Sequence, residues 1–335
     1  MYSSYSSLQQ SQLAAQGYYD TQSTYLLVYA PGRSTALRAT LADQLHRKFR
    51  LADTLGSALT EGVDGVLLVS EDVECMSTAL MCFAKALQDG ADYAVCNAVF
   101  GFGGATALYQ SRAHLAQNRC ALVSRPLLER CRAAAKDPEN VTELLALAAQ
   151  FCAHPARIPQ ALLHYERDIC AEDAFSATGK RAFLMSHVLD MTGAPIVLVS
   201  AVPVLRSMGY EVVVLGPSDG GALQLFVDAG AAVITRPGIR ATPNLWGLAL
   251  CTDLVLVNTV VMARTVRALS GTAVPVLWWL HDAFAGYPHI AHQIPTKLAE
   301  NVRLYSVGHH AANAMHAVRP DFQIGQLLSL IHISE

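Results

Sequence analysis

No two of the eight cysteines stand as CxxC; they fall singly at positions 75, 82, 96, 120, 131, 152, 170 and 251. That spacing excludes a zinc knuckle and offers no disulfide framework, so the thiols read as buried, reduced groups of a cytoplasmic protein. Charge is scarce as well: Asp, Glu, Lys and Arg make up 15% of the chain and the formal net charge is −3. Without a basic stripe the chain lacks the electrostatic footprint of a nucleic-acid binder. The short basic run His46, Arg47, Lys48 and Arg50 reads as a solvated helix face. No window approaches the roughly 18 consecutive apolar residues needed to cross a bilayer. The opening MYSSYSSLQQSQ has neither the basic n-region nor the apolar h-region of a signal peptide. A transmembrane segment is therefore not expected, while peripheral contact at the inner membrane face stays open. The dinucleotide fingerprint GxGxxG is also absent, which removes most of the support for nicotinamide chemistry.

What is present is apolar and long. Apolar residues make up 52% of 335, enough for well-packed cores in two domains of roughly 150 residues each. From Arg181 onward short β-branched runs alternate with helical stretches, the pattern of a parallel sheet covered on both faces. The runs are 182–186, 211–216, 231–236, 253–258, 274–280, 302–308 and 322–325, with helices expected over 195–208, 221–229, 260–270, 294–300 and 309–318. This predicts a Rossmann-like domain. The first half alternates less regularly, with strands expected over 25–30, 64–70, 92–100 and 120–124 and helices over 35–46, 77–89, 126–135 and 140–152. It reads as a second α/β domain over 1–166, joined through a polar linker, 167–180, to a domain over 181–328. The glycines Gly101, Gly103 and Gly104 mark a loop that specifies little.

In an open parallel sheet, a loop passing from the first strand into a helix aims backbone N–H groups at an anion. In SHVLDMTGAPIVLVS, residues 186–200, that place is held by Thr192, Gly193, Ala194 and Pro195. Gly193 allows close approach of a ligand and Pro195 suits a first helical turn. An ordinary strand-to-helix turn would look the same. His281 and Asp282 close a strongly apolar strand, where packing explains a polar pair poorly. A neutral imidazole there can hydrogen-bond a sugar hydroxyl or support charge at a reacting centre, or simply cap the strand. Asn258 and Thr259 end a strand on the same side and are candidates for the cleft wall. His309 and His310 are adjacent, so they cannot both face one way on a helix, and they read as helix-start residues without metal.

Taken together, SHVLDMTGAPIVLVSAVPVLRSMGYEVVVLGP, DLVLVNTVVMARTVRAL, VPVLWWLHDAF and LAENVRLYSVGHHAANAMHAV resemble the N-terminal half of a family-4 glycosyltransferase of the two-Rossmann (GT-B) type. The resemblance runs in order through residues 181–327. It implies transfer of a hexose from a nucleotide-sugar to a glycan or lipid-linked acceptor, with retention at the anomeric carbon and no metal cofactor in this part. It places Thr192, Gly193 and Ala194 near the donor diphosphate and His281 at the reacting sugar. In that family the donor is held mostly by a C-terminal domain, so little or no transfer is expected from a chain ending near the hinge. The last residues, 329–335, depart from the expected continuation and read as a non-native tail.

Residues 7–166 resemble a degenerate family-2 glycosyltransferase domain of the GT-A type, through SLQQSQLAAQGYYDTQSTYLLVYAPGRST, DGVLLVSEDVECMSTALMCFAKALQDGADYAV and ENVTELLALAAQFCAHPARIPQALLHYER. Where that family carries a metal-binding Asp-x-Asp, this chain has Ser70, Glu71 and Asp72. Where it carries acidic residues for the nucleotide base, this chain has Tyr29 and Ala30. The acidic pair that includes the acceptor base matches Glu139 and Asn140. Magnesium or manganese needs converging oxygen ligands, whereas neighbours on a strand point to opposite faces, so weak or absent metal binding is expected. An unrelated α/β domain remains open for this half. For the whole chain, a non-catalytic glycan- or nucleotide-sugar-binding module is the alternative function.

Overall fold

The computed structural model describes residues 18–32, 35–56, 59, 62–101, 106–110, 119–175, 179–239 and 247–327. Residues 329–335, Gly103 and Gly104 lie outside that set, as do 176–178 of the expected linker. The chain is α/β and divides into two compact units, Met1–Phe100 with His114–Glu166, and Gly101–Ala113 with Arg167–Glu335. In order, its elements begin with β1 (Leu26–Tyr29), α1 (Thr35–Leu41), β2 (Phe49–Ala52), β3 (Gly65–Val69), β4 (Glu74–Cys75), α2 (Ala79–Gln88), β5 (Tyr93–Gly101) and β6 (Thr106–Gln110). Then come β7 (Cys120–Ser124), α3 (Arg125–Ala134), α4 (Val141–Phe151), β8 (Pro155–Asp168), α5 (Ala171–Ala174), β9 (Lys180–Met185), α6 (Gly193–Ser207) and β10 (Tyr210–Gly216). They finish with α7 (Leu223–Asp228), β11 (Ala232–Thr235), β12 (Leu254–Asn258), α8 (Ala263–Leu269), β13 (Val276–Leu280), α9 (Tyr287–Ile290), β14 (Val302–Ser306), α10 (His309–His316) and β15 (Ile324–Gln326).

In the first unit β1 lies between β2 and β3, parallel to both, and β7 runs antiparallel to β3 and to β5. Strands β1, β3 and β7 are buried along their whole length, which is why they read as continuous apolar runs. Leu27, Val66, Leu68 and Val123 pack beneath Leu127, Leu128, Leu144 and Leu145 of α3 and α4. Both helices start on a side-chain cap: Ser124 Oγ accepts from Leu127 N, and Asn140 Oδ1 accepts from Glu143 N at 3.1 Å.

Two expectations for this unit fail for physical reasons, and strand β8 was not among the strands expected. The helix expected over 35–46 stops at Leu41, because the buried Gln44 side chain is taken by backbone: Nε2 donates to Met76 O at 2.8 Å and Oε1 accepts from Leu80 N at 3.0 Å. The basic run is not a solvated helix face. His46 is fully buried and hydrogen-bonded to Thr21 Oγ1 and Lys48 O, and Arg50 lies in β2. Burial lowers the pKa of His46. The 14-residue strand β8 was invisible as a strand, since it opens on Pro155, contains Pro159 and alternates in burial without a clean period. Its end and α5 fall inside the expected linker, where Arg167 grips the buried carboxylate of Asp173 with two hydrogen bonds, 2.6 and 2.9 Å. All eight cysteines are free, but Cys251 is exposed rather than buried.

The second unit is built around β9. Strands β10 and β11 follow on one side of it, and β12, β13, β14 and β15 on the other, all parallel. Strand β6 adds antiparallel to β11. The chain thus runs outward from β9 to β11, then returns to place β12 on the far side of β9. The helix expected over 294–300 does not form and the short α9 precedes it instead. The carbonyls of Ala291, Ile294 and Pro295 accept from the Arg319 guanidinium at 3.2, 2.7 and 2.9 Å.

The loop after β9 is held from below by the loop after β10. Ala222 N donates to Leu189 O at 2.8 Å. A Cβ on Gly220 would stand 2.3 Å from that same carbonyl oxygen, and one on Gly216 would stand 2.4 Å from the Leu189 side chain. Only glycine permits this approach at 220, since the obstacle is backbone. Gly220→Ala should therefore cost about 1–3 kcal/mol, the usual penalty of overpacking, read as a lower midpoint in urea unfolding. An unchanged midpoint would show that the two loops are not in contact.

Candidate functional site

Ligands of open α/β sheets bind beyond the carboxyl ends of the strands where strand order reverses. Here that reversal lies between β9 and β12. The loop leaving β9 begins with Ser186, fully buried, whose N–H donates to Leu215 O at 2.9 Å and whose Oγ donates to Val188 O at 2.6 Å. These bonds end the strand and turn the chain toward α6. Thr192 is extended and its side chain makes no cap hydrogen bond. A Cβ placed on Gly193 would meet nothing within 4 Å, so the start of this 15-residue helix faces open space. A helix N-terminus of that kind carries partial positive charge.

The end of β12 forms the facing wall. Asn258 is fully buried, and its Nδ2 donates to Ala194 O at 3.0 Å, tying the first turn of α6 to the strand end. Its Oδ1 has no protein partner among the described residues. Thr259 follows with φ +71° and ψ 159°. Its N–H donates to Trp279 O at 2.8 Å, its carbonyl accepts from Trp278 Nε1 at 2.8 Å, and its hydroxyl is hydrogen-bonded to His187 Nδ1 at 3.2 Å.

At the end of β13, the half-buried His281 tilts against the ring of Trp279, with centroids 4.8 Å apart. Asp282 turns inward and accepts from Val260 N at 2.6 Å. Burial holds its carboxyl above the ordinary value of 3.8, against the backbone hydrogen bonds from Val260, His281 and Asp282 itself. Tyr287 is fully buried and its phenol is likewise raised, by burial and by the neighbouring Asp282.

Direct hydrogen bonds thus join Ala194 to Asn258, Thr259 to the loop after β9, and Asp282 to the turn after β12, and His281 precedes Asp282 on β13. Two members escaped the sequence reading. His187 sits inside the glycine loop's own stretch, and its signal was a polar ring two residues past a strand buried over Ala182–Met185. Trp278 is fully buried core, and its indole N–H also anchors Thr259.

The residues expected for the first unit's site have other engagements. Ser70 donates to Arg119 O through both N and Oγ, at 2.9 and 3.0 Å, and Asp72 Oδ1 accepts from Leu37 N of α1 at 3.4 Å. Glu139 is a strut: Oε2 accepts from Leu55 N at 2.6 Å and from Tyr29 OH at 3.2 Å, and Oε1 accepts from Gly56 N at 3.0 Å. Burial and Glu139 push the Tyr29 phenol up to about 12. Asn140 is the N-cap of α4. Among the described residues no group of three or more His, Cys, Asp or Glu side chains is arranged to hold a metal ion.

Two outcomes follow from these environments. Asp282 binds its proton more tightly in the folded chain, so its contribution to stability falls as pH rises from 3.8 through its raised folded value. Asp282→Asn keeps an acceptor for Val260 N–H without that cost. Urea unfolding at about pH 7 should find it at least as stable as the parent, with any advantage shrinking toward about pH 4. A variant clearly less stable than the parent at about pH 7 would show instead that the charge holds the turn. Glu139→Ala should lose at least about 1–3 kcal/mol, the cost of one buried donor left unpaired. A stable Glu139→Ala protein would contradict the strut.

Comparisons with known proteins bear on the second unit alone. No curated protein and no solved structure matches the chain. Residues 178–318 match the family model described as glycosyl-transferase family 4, a segment that contains the switch-point loops and all of β9 to β14, and this match supports a glycosyltransferase domain of α/β, Rossmann-like fold there.

Proposed function

We propose that the second unit binds a nucleotide-sugar in the crevice between β9 and β12 and serves transfer of its hexose to a glycan or lipid-linked acceptor. The observation that carries the reading is the convergence of Ala194, Asn258, Thr259 and Asp282 at the carboxyl ends of β9, β12 and β13. In this reading the open start of α6, with Thr192, Gly193 and Ala194, faces the diphosphate, where helix polarity offsets the charge that grows on a leaving phosphate. His281 faces the sugar and hydrogen-bonds a hydroxyl. Asp282 orients the turn after β12 and, through its chain neighbour, His281. Retention at the anomeric carbon follows from the family-4 resemblance. Among the described residues no helix is long and apolar enough to cross a membrane; action in the cytoplasm, with peripheral contact at the inner membrane face, is part of the proposal.

The first unit is proposed as a degenerate GT-A-like domain that guides the acceptor. The engagement of Glu139 and Asn140 in structural hydrogen bonds also favours the second reading, in which the chain is a non-catalytic glycan- or nucleotide-sugar-binding module. Magnesium or manganese at Ser70, Glu71 and Asp72 would be weakly held at most.

Calorimetric titration with UDP-, GDP-, ADP- and dTDP-hexoses, paired with chromatographic detection of released nucleotide, tests both. The proposed reading expects at least one of these to bind, and His281→Ala to weaken binding by about tenfold, near the worth of one good polar contact. Binding that survives His281→Ala would favour the binding module. Failure of every nucleotide-sugar to bind would overturn the donor site.

A further inference from the structure

Among the described residues Thr259 alone, apart from glycines, has a positive φ. Its φ +71° and ψ 159° lie in a region that glycine occupies freely and a β-branched residue scarcely at all. Strain of this kind persists only where the surroundings over-determine it, and here they do. Trp279 O, Trp278 Nε1 and the Asp282 carboxylate clamp the peptide groups on either side, at 2.8, 2.8 and 2.6 Å. All of those bonds involve backbone atoms and would be served equally by glycine. The hydroxyl is what threonine adds, and its hydrogen bond is to His187 Nδ1, at 3.2 Å. Thr259 is 1% exposed, so the threonine side of this contact is buried, while His187 is half-buried at the start of the loop that leads to α6.

We propose that Thr259 is a positioning residue for His187: the strained turn sets the hydroxyl against Nδ1, which fixes the orientation of the imidazole so that the ring contacts the diphosphate oxygens of a bound nucleotide-sugar. A hydroxyl can donate to Nδ1 or accept from it, so the bond sets where the other ring nitrogen points in either tautomer. The ligand part of this inference rests on the donor-binding reading above. The positioning part does not, because it concerns two side chains already in contact.

The test separates the two. Nitrogen-15 NMR of the imidazoles reads the His187 ring nitrogens in the parent, Thr259→Gly and Thr259→Ser proteins, and the same nucleotide-sugar panel is titrated into each. Glycine relieves the backbone strain and removes the hydroxyl. Thr259→Gly should therefore keep its thermal stability, shift the His187 ring-nitrogen resonances through loss of the hydroxyl partner, and bind nucleotide-sugar about tenfold more weakly. Thr259→Ser restores the hydroxyl and should recover both signals, and His187→Ala should weaken binding as much as Thr259→Gly does. Unchanged His187 resonances in Thr259→Gly would overturn the positioning role. Unchanged affinity in both Thr259→Gly and His187→Ala would overturn the diphosphate contact. If the parent binds no nucleotide-sugar, the contact falls together with the donor-binding reading, and the resonances still decide the positioning.

Discussion

A parallel sheet can grow in two directions from its first strand, and the place where it changes direction is the one gap that crossover helices do not fill. Strands β9 and β12 are neighbours in the sheet but their chains leave toward different parts of the unit. The rest of the candidate site depends on that constraint. The loop after β9 and the turn after β12 must face each other across the gap, and backbone groups released there need partners. Asn258 supplies one to Ala194, Thr259 meets His187, and Asp282 reaches across from β13 to Val260.

These contacts also explain how a nearly chargeless region is kept in shape. The strands beneath it are apolar and fully buried from Ala182 to Met185 and from Val255 to Val257, so side-chain packing fixes their register. Polarity begins within one or two residues of each strand end. Ser186 and Asn258 are wholly buried, and Asp282 is mostly so. Each hydrogen-bonds backbone. A buried polar side chain with a backbone partner rigidifies without requiring a second side chain to be ordered. The cost appears as a carboxyl that holds its proton more tightly than usual and as one threonine in a glycine conformation.

The second unit was largely legible because its inner strands, β9 to β13, are buried along most of their length. Runs such as LVLVN and VLWWL need no alternation to be recognised, and the candidate residues follow them directly. The miss at 294–300 came from long range, since the carbonyls there are satisfied by Arg319, a partner no local period reveals. In the first unit the strongly apolar strands were again visible. Strand β8 was hidden by its prolines and mixed burial, and His46 by three basic neighbours that advertise a surface it does not lie on. The geometry around His187 could not be read at all, because it depends on a dihedral angle at Thr259, 72 residues away.

Strand β6 carries a consequence of its own. Residues Thr106–Gln110 lie far upstream of β9, yet their backbone pairs with Val233, Ile234 and Thr235 of β11, a strand buried throughout. The segment matched by the glycosyltransferase family model begins at 178 and so does not include the strand that covers this margin. A polypeptide cut to the family segment would bare a flat row of β-branched residues with open N–H and C=O groups, the usual template for edge-to-edge association between molecules. The border of the sequence match and the border of the paired sheet are therefore different, and one five-residue strand lies between them.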